Sequence, residues 1–210
     1  MMRVFLCRHG ETVNNAAGVL GGDKGNCLTP LGRRQARLLA ARLAGLRVHA
    51  VYSSSMLRAL ETASFTCRRV AREAVVVPEF REMHLGELEG LAFEDAELRH
   101  PRVFDRIFAN PWCRPRGGES LRSLQARAMP RFMALVDRHS GENVAVFAHN
   151  LVNRVILASL LGIPLERARV LKQYNACLNV LAFGSNGLRA HVINEAHDPP
   201  GAARGSALIP

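Results

Sequence analysis

The chain lacks the features that would place it in a membrane, in an oxidising compartment or around a metal ion. None of its apolar runs approaches the ~20 residues a membrane span needs. The opening Met-Met-Arg-Val-Phe-Leu-Cys-Arg-His-Gly has no signal-peptide core or cleavage site. The expectation is a soluble cytoplasmic protein without membrane contact. Cysteine is sparse: the five residues at 7, 27, 67, 113 and 177 are odd in number and never form CxxC, which argues against a disulfide framework and a zinc ribbon. A P-loop is missing, because Gly21-Gly22-Asp23-Lys24-Gly25-Asn26 has neither the spacing nor the Ser/Thr. GxSxG, HExxH and an Asp-rich magnesium pattern are missing too, so neither metal nor cofactor is expected. Lysine is almost absent: of 28 basic residues only Lys24 and Lys172 are Lys, and 18 acidic residues leave a formal net charge of +10. Genome composition alone can produce such an Arg bias. The charge favours anionic ligands, to which Arg offers a planar fork. RNP, KH, zinc-finger and helix-turn-helix signals are absent, so no nucleic-acid partner is expected.

What remains is ordinary for a globular domain: 210 residues, 48% hydrophobic and 22% charged, enough to bury a core without staples. Apolar, β-branched runs at 3–7, 48–53, 75–80, 143–148, 178–183 and 188–193 read as strands. Several are apolar at consecutive positions, which suits strands covered on both faces. Helical patterns lie between them. Thr29-Pro30 reads as an N-cap with Pro at the first helical position, followed by a stripe of Leu31, Leu38, Leu39 and Leu43 and a stop at Gly45. A second helix is expected over about 56–73. A third starts near Ser120, with Leu121, Leu124, Ala128, Phe132 and Leu135 on one face and a kink or break at Pro130. A fourth runs from about 151 to Leu161. The alternation predicts an α/β fold, a three-layer sandwich with a mostly parallel sheet flanked by helices. A single domain over 1–196 is expected, with an insertion at about 84–118 over one end of the sheet and a poorly ordered tail over 197–210.

Two histidines stand where such folds bind ligands. The first strand runs into Arg8-His9-Gly10-Glu11-Thr12, and the strand 143–148 runs into His149 at the start of a helix. The helix amides and dipole there attract anions. Alone, Arg8-His9-Gly10 reads as a capped strand with a solvated Arg, and His149 as a helix cap. Together, the two strand ends invite a common pocket.

The run Arg8-His9-Gly10-Glu11-Thr12 with Asn15 resembles the opening signature of the histidine phosphatase superfamily, the phosphoglycerate-mutase-like proteins. Four more blocks follow in the family's order. They are Leu28-Thr29 with Gly32 and Gln35-Ala36; Val51-Tyr52-Ser53-Ser54 with Arg58-Ala59 and Thr62-Ala63; Glu82 with Gly86-Glu87-Leu88-Glu89-Gly90; and Gly117-Gly118-Glu119-Ser120 with Arg127, leading to Val144-Ala145-Val146-Phe147-Ala148-His149. The resemblance implies a phosphohistidine mechanism. His9 would be the nucleophile, Arg8, Arg58 and His149 would surround the phosphoryl oxygens, and Glu82 would protonate the leaving oxygen and then take a proton from water. It places Asn15 and Gly22 near the bound phosphate, with Glu11 and Thr12 in the same loop. Asn150 departs from the family's usual Gly and puts a side chain at the pocket rim, where it can bond the substrate or narrow the mouth. His84, Trp112 and Arg114 are further pocket candidates, with a surface His and a packing Trp as the plainer readings.

The expected activity is metal-independent hydrolysis of a small phosphate ester. Only about 35 residues separate Glu82 from the Gly-Gly-Glu-Ser block, whereas the mutases that this chain resembles carry a longer lid that keeps water from the phosphoenzyme. A mutase-type transfer is the runner-up, and a non-catalytic phospholigand-binding protein is the alternative from another class. Dimers are common among relatives, which leaves a homodimer open.

Overall fold

In the computed structural model, residues 1–22 and 27–198 are described. Strand β1 (Met2–Arg8) lies inside a six-stranded sheet of order β3-β2-β4-β1-β5-β6. The other strands are β2 (Ala50–Ser53), β3 (Ala74–Val76), β4 (Asn143–Ala148), β5 (Leu178–Gly184) and β6 (Gly187–Glu195). β1/β4, β4/β2 and β2/β3 pair parallel, and β5 runs antiparallel to both β1 and β6. The sheet is therefore mixed and mostly parallel, in the expected α/β architecture.

Both faces are covered, as the consecutive apolar positions require. Val4 and Leu6 enter one core cluster with Val144 and Val146, whereas Phe5 and Cys7 enter another with Ala145 and Phe147. Helices α2 (Pro30–Ala44) and α3 (Leu57–Val70) cover the second cluster through Leu39, Leu43 and Ala63. Helices α6 (Leu121–Arg138) and α7 (Asn150–Leu161) cover the first through Leu124, Phe132, Val152 and Ile156. Among the described residues, no helix is long and apolar enough to cross a membrane.

Local sequence explains the helix ends. The Thr29 hydroxyl accepts from the Gly32 amide at 3.0 Å, Pro30 opens α2, and Gly45 caps it. Its buried face differs from the expected stripe. Ala36, Leu39, Ala40 and Leu43 point inward, while Leu38 is exposed, because alanines rather than a fourth leucine fill the close contact with the sheet. Helix α6 is capped by Ser120 and runs through Pro130 without a break. Pro130 and Ala126, whose carbonyl loses its donor, are both exposed, so water can satisfy that oxygen. The run at 75–80 forms a shorter strand than expected, since Pro78 starts a single 3₁₀ turn, Pro78–Phe80.

The segment 84–118 holds a 3₁₀ turn (Gly86–Leu88) and two short helices, α4 (Phe93–Arg99) and α5 (Val103–Ala109). Phe104, Ile107 and Phe108 anchor it in the first core cluster. Of the expected tail, Asp198 pairs with Arg34 at 3.0 Å and His197 lies 3.6 Å from Glu195; residues 199–210 lie outside the described residues, as does 23–26 of the glycine-rich stretch.

Candidate active site

Strand register brings the two histidines together. Arg8 stands opposite Ala148 in the parallel pair of β1 and β4, so the next residue of each strand, His9 and His149, emerges at the same sheet edge. The His9 amide donates to the Ala148 carbonyl at 3.1 Å. The two rings lie 5.1 Å apart, centroid to centroid, tilted by 55°.

Beyond His9 the chain must pass against the start of α2. A Cβ on Gly10 would sit 2.4 Å from the Gly32 carbonyl oxygen, and one on Gly32 would sit 2.0 Å from that of Glu11, so both positions need glycine. The Gly10 amide donates to Thr62 Oγ1 at 3.0 Å, and the Glu11 amide to Gln35 Oε1 at 2.9 Å. This frame aims the Gly10 carbonyl at His9 Nδ1, 2.7 Å away. A carbonyl can only accept, so Nδ1 carries the hydrogen and Nε2 keeps its lone pair. Arg58 Nε donates to that lone pair at 3.3 Å. Burial, then the Arg58 and Arg8 charges, push His9 well below the usual histidine range, which keeps its ring neutral and nucleophilic.

Around His9 the charges are fixed by backbone contacts. Arg58, in the first turn of α3, donates from Nη2 to the Gly22 carbonyl at 2.7 Å. Arg8 donates to the Gln173 carbonyl, and both guanidiniums are buried. Glu82 faces them across the cleft: Oε1 accepts from the Met83 amide at 3.0 Å and Oε2 from the Leu151 amide, in the first turn of α7, at 3.3 Å. Arg127 holds the segment bearing this carboxylate. Its guanidinium binds the carbonyls of Glu79, Arg81 and Glu82 and pairs with Glu119, which in turn accepts from the His84 amide at 2.9 Å. That contact explains the Gly-Gly-Glu-Ser and Arg127 block physically.

The cleft has about 60 Å³ of free volume; Arg8, His9, Arg58 and Glu82 line it together with Thr12, Asn15, Gly22 and Asn150. The Oδ1 of Asn150 is buried with no hydrogen-bond partner. The Thr12 and Asn15 side chains also cap each other in the short helix α1 (Val13–Ala17). Glu11 is not brought to the cleft: its carboxylate accepts from the Thr29 hydroxyl at 2.7 Å and ties the loop to α2. His149 is fully buried beside the His9 ring and does not itself line the empty cleft. Trp112 is neither a pocket residue nor a packing anchor, since it is 73% exposed with Arg122 over its ring. Arg114 is exposed as well, and His84 accepts from the Gly86 amide away from the cleft.

Several residues of the site carry no sequence signal that singles them out. Arg154 is buried in α7, its pKa brought down to about 10 by burial and by Arg8, against the opposing effect of Glu82. With Asn150 and Asn153 it makes a polar patch on an otherwise apolar, buried helix, and that pattern could have flagged it. Asn175 donates to the His9 carbonyl at 3.3 Å and to Asn15 at 3.1 Å, from a loop with no recognisable motif. Among the described residues, no cluster of three or more His, Cys, Asp or Glu could hold a metal ion.

A neutral imidazole with an unprotonated Nε2, flanked by guanidiniums and facing a carboxyl group, suits attack on an anionic phosphoryl centre. Comparison with known proteins agrees. The model of the histidine phosphatase superfamily (branch 1) matches residues 4–196. A metal-independent phosphoserine phosphatase of Arabidopsis thaliana is 34% identical over 182 residues, covering 85% of this chain and 75% of its own. Phosphoglycerate mutase-like protein 4 of the same plant is 33% identical over 186 residues, covering 84% and 77%. The solved structure of a mycobacterial glucosyl-3-phosphoglycerate phosphatase complexed with VO3 has a TM-score of 0.87 at 27% identity, covering 92% of this chain and 99% of that one.

Proposed function

The chain belongs to the histidine phosphatase superfamily, branch 1, and is a phosphatase of that family; from this premise we propose that it hydrolyses a small phosphorylated metabolite through a phosphohistidine at His9, without a metal. The observation that carries the reading is the His9 ring: Nδ1–H is held by the Gly10 carbonyl, and Nε2 is left with a lone pair beside Arg58. Nε2 attacks phosphorus as the ester P–O bond breaks, and the departing oxygen takes a proton from the Glu82 carboxyl group. Water then attacks the phosphohistidine, gives its proton to the Glu82 carboxylate, and the N–P bond breaks to release phosphate. Arg8 and Arg58 neutralise the equatorial oxygens, which is where charge spreads in phosphoryl transfer, and His149 donates a hydrogen bond to them. Thr12, Asn15, Gly22 and Asn150 are the substrate-side contacts; Glu11 acts through the loop.

The substrate is a small molecule with a phosphate ester. Relatives named for phosphoserine and glucosyl-3-phosphoglycerate act on esters that also carry a carboxylate. The buried guanidiniums of Arg8 and Arg58, which line the cleft, suit an anionic ester of this kind. The likeness to a phosphoglycerate mutase-like protein favours a second reading, transfer back to the bound product. A single-turnover assay on 3-phosphoglycerate separates the two, with hydrolysis giving inorganic phosphate and no 2-phosphoglycerate. Labelled phosphate trapped on the native chain but not on His9→Ala supports the intermediate, and turnover by His9→Ala would refute it.

A further inference from the structure

Ser54 is absent from the mechanism above, yet its hydroxyl touches the second histidine. It follows β2 as His149 follows β4: the Ser54 amide donates to the Phe147 carbonyl at 3.0 Å, which brings Ser54 Oγ to 2.6 Å from His149 Nε2. Ser54 and His149 are both fully buried. The Oγ lone pairs already receive the Met56 amide, at 3.3 Å. A buried hydroxyl must also donate its hydrogen. Among the described residues, the one acceptor within bonding distance of Ser54 Oγ is His149 Nε2. The hydroxyl therefore donates to Nε2, and the hydrogen of the neutral His149 ring sits on Nδ1. That nitrogen is buried and has no hydrogen-bond partner.

We propose that Ser54 is a positioning residue that fixes His149 as its neutral Nδ1–H tautomer and so presents a ready-made N–H donor to the transferring phosphoryl oxygen. The inference rests on the phosphatase reading for the identity of the acceptor, but not for the tautomer. Charged and titratable groups facing the ring support a neutral form: His9 and Arg8 at the end of β1, Arg58 from α3 and Arg127 from α6 all disfavour a second proton, after burial itself. His149 then needs no protonation to act, and its contribution stays constant across the neutral pH range.

The test is nitrogen-15 NMR of the histidine rings in the full chain, in the resting state and with orthovanadate. The expected spectrum shows His149 with Nδ1 protonated and Nε2 bare from about pH 6 to 8, and vanadate shifts the Nδ1 signal. A ring protonated on Nε2, or an imidazolium in that range, would overturn the proposal, and the native chain alone decides this. Ser54→Ala should mix the tautomers and lower kcat by ~100-fold with KM little changed, the loss expected for one misdirected donor. Ser54→Thr, which keeps the hydroxyl, should restore the single tautomer. An unaltered tautomer and kcat in Ser54→Ala would also refute it. Absence of any phosphatase activity would remove the function reading while leaving the resting spectrum to judge the tautomer.

Discussion

Two neutral histidines buried among arginines make this fold sensitive to mild acid, and the size of the effect follows from their placement. Burial, then neighbouring positive charge, hold both His9 and His149 well below the reference value of 6.5. The sign is fixed by linkage: as pH falls below 6.5 the unfolded chain binds protons at these positions while the folded chain does not, so stability is lost on acidification. For one histidine neutral in the fold, lowering the pH from about 7.5 to 5.5 costs about 1.4 kcal/mol, and two give roughly 3 kcal/mol. That is a large fraction of the ~5–15 kcal/mol of a typical domain. The assay is urea unfolding at intervals between those pH values, for the native chain and for a His9→Asn, His149→Gln double variant. The double variant should lose a large part of the slope: His197, also lowered by burial, contributes alike to both proteins, and the carboxylates that share the sign, Glu79, Glu119 and Glu142, are held below 4.5 and titrate lower. Equal slopes for the two proteins would refute the claim that these rings stay neutral in the folded state.

Three further outcomes are expected. EDTA should leave turnover intact and vanadate, which mimics the pentacoordinate phosphoryl group, should inhibit; activity lost to EDTA and restored by magnesium would overturn the metal-free mechanism. Arg127→Ala should free the carbonyls that place Glu82 and cut kcat by ~100-fold, with steady-state kinetics as the check; an unchanged kcat would show that Glu82 is held in place by other contacts. Pro130→Ala should restore a helical hydrogen bond on the exposed face of α6 and raise stability by about 1 kcal/mol, or about 2–4 °C in Tm by calorimetry.

Legibility in the sequence followed the range of the forces involved. The strands and capped helices are set by neighbours a few residues apart, so Thr29-Pro30, Ser120 and the run before His149 announced them. The convergence of His9 and His149 needed only the inference that β1 and β4 end at the same sheet edge. The partner of His9 Nδ1 was not readable, because every backbone carbonyl has the same chemistry and only the Gly10–Gly32 contact selects one. Glu11 shows the converse. It sits in the most informative motif of the chain, but the turn at Gly10 points its carboxylate at Thr29 and away from the cleft. Arg154 carries no such signal, because an Arg in a helix ordinarily faces water, and only the burial of the whole first half of α7 gives it another meaning.

The two imidazoles divide their work by opposite use of the same tautomer. In His9 a carbonyl holds Nδ1–H, so Nε2 has a lone pair to give. In His149 a hydroxyl occupies Nε2, so Nδ1 has a hydrogen to give. Neither ring has to change charge before the reaction starts, and guanidinium groups, which keep their protons at neutral pH, supply the positive field. A site built in this way leaves proton transfer to the Glu82 carboxyl group rather than to the histidines. Replacing Glu82 by Gln should therefore slow the first chemical step for esters with a poor leaving group, whereas an aryl phosphate, whose leaving oxygen needs no proton, should phosphorylate His9 at a rate close to that of the native chain. A similar loss with both kinds of ester would place Glu82 in binding rather than in proton transfer.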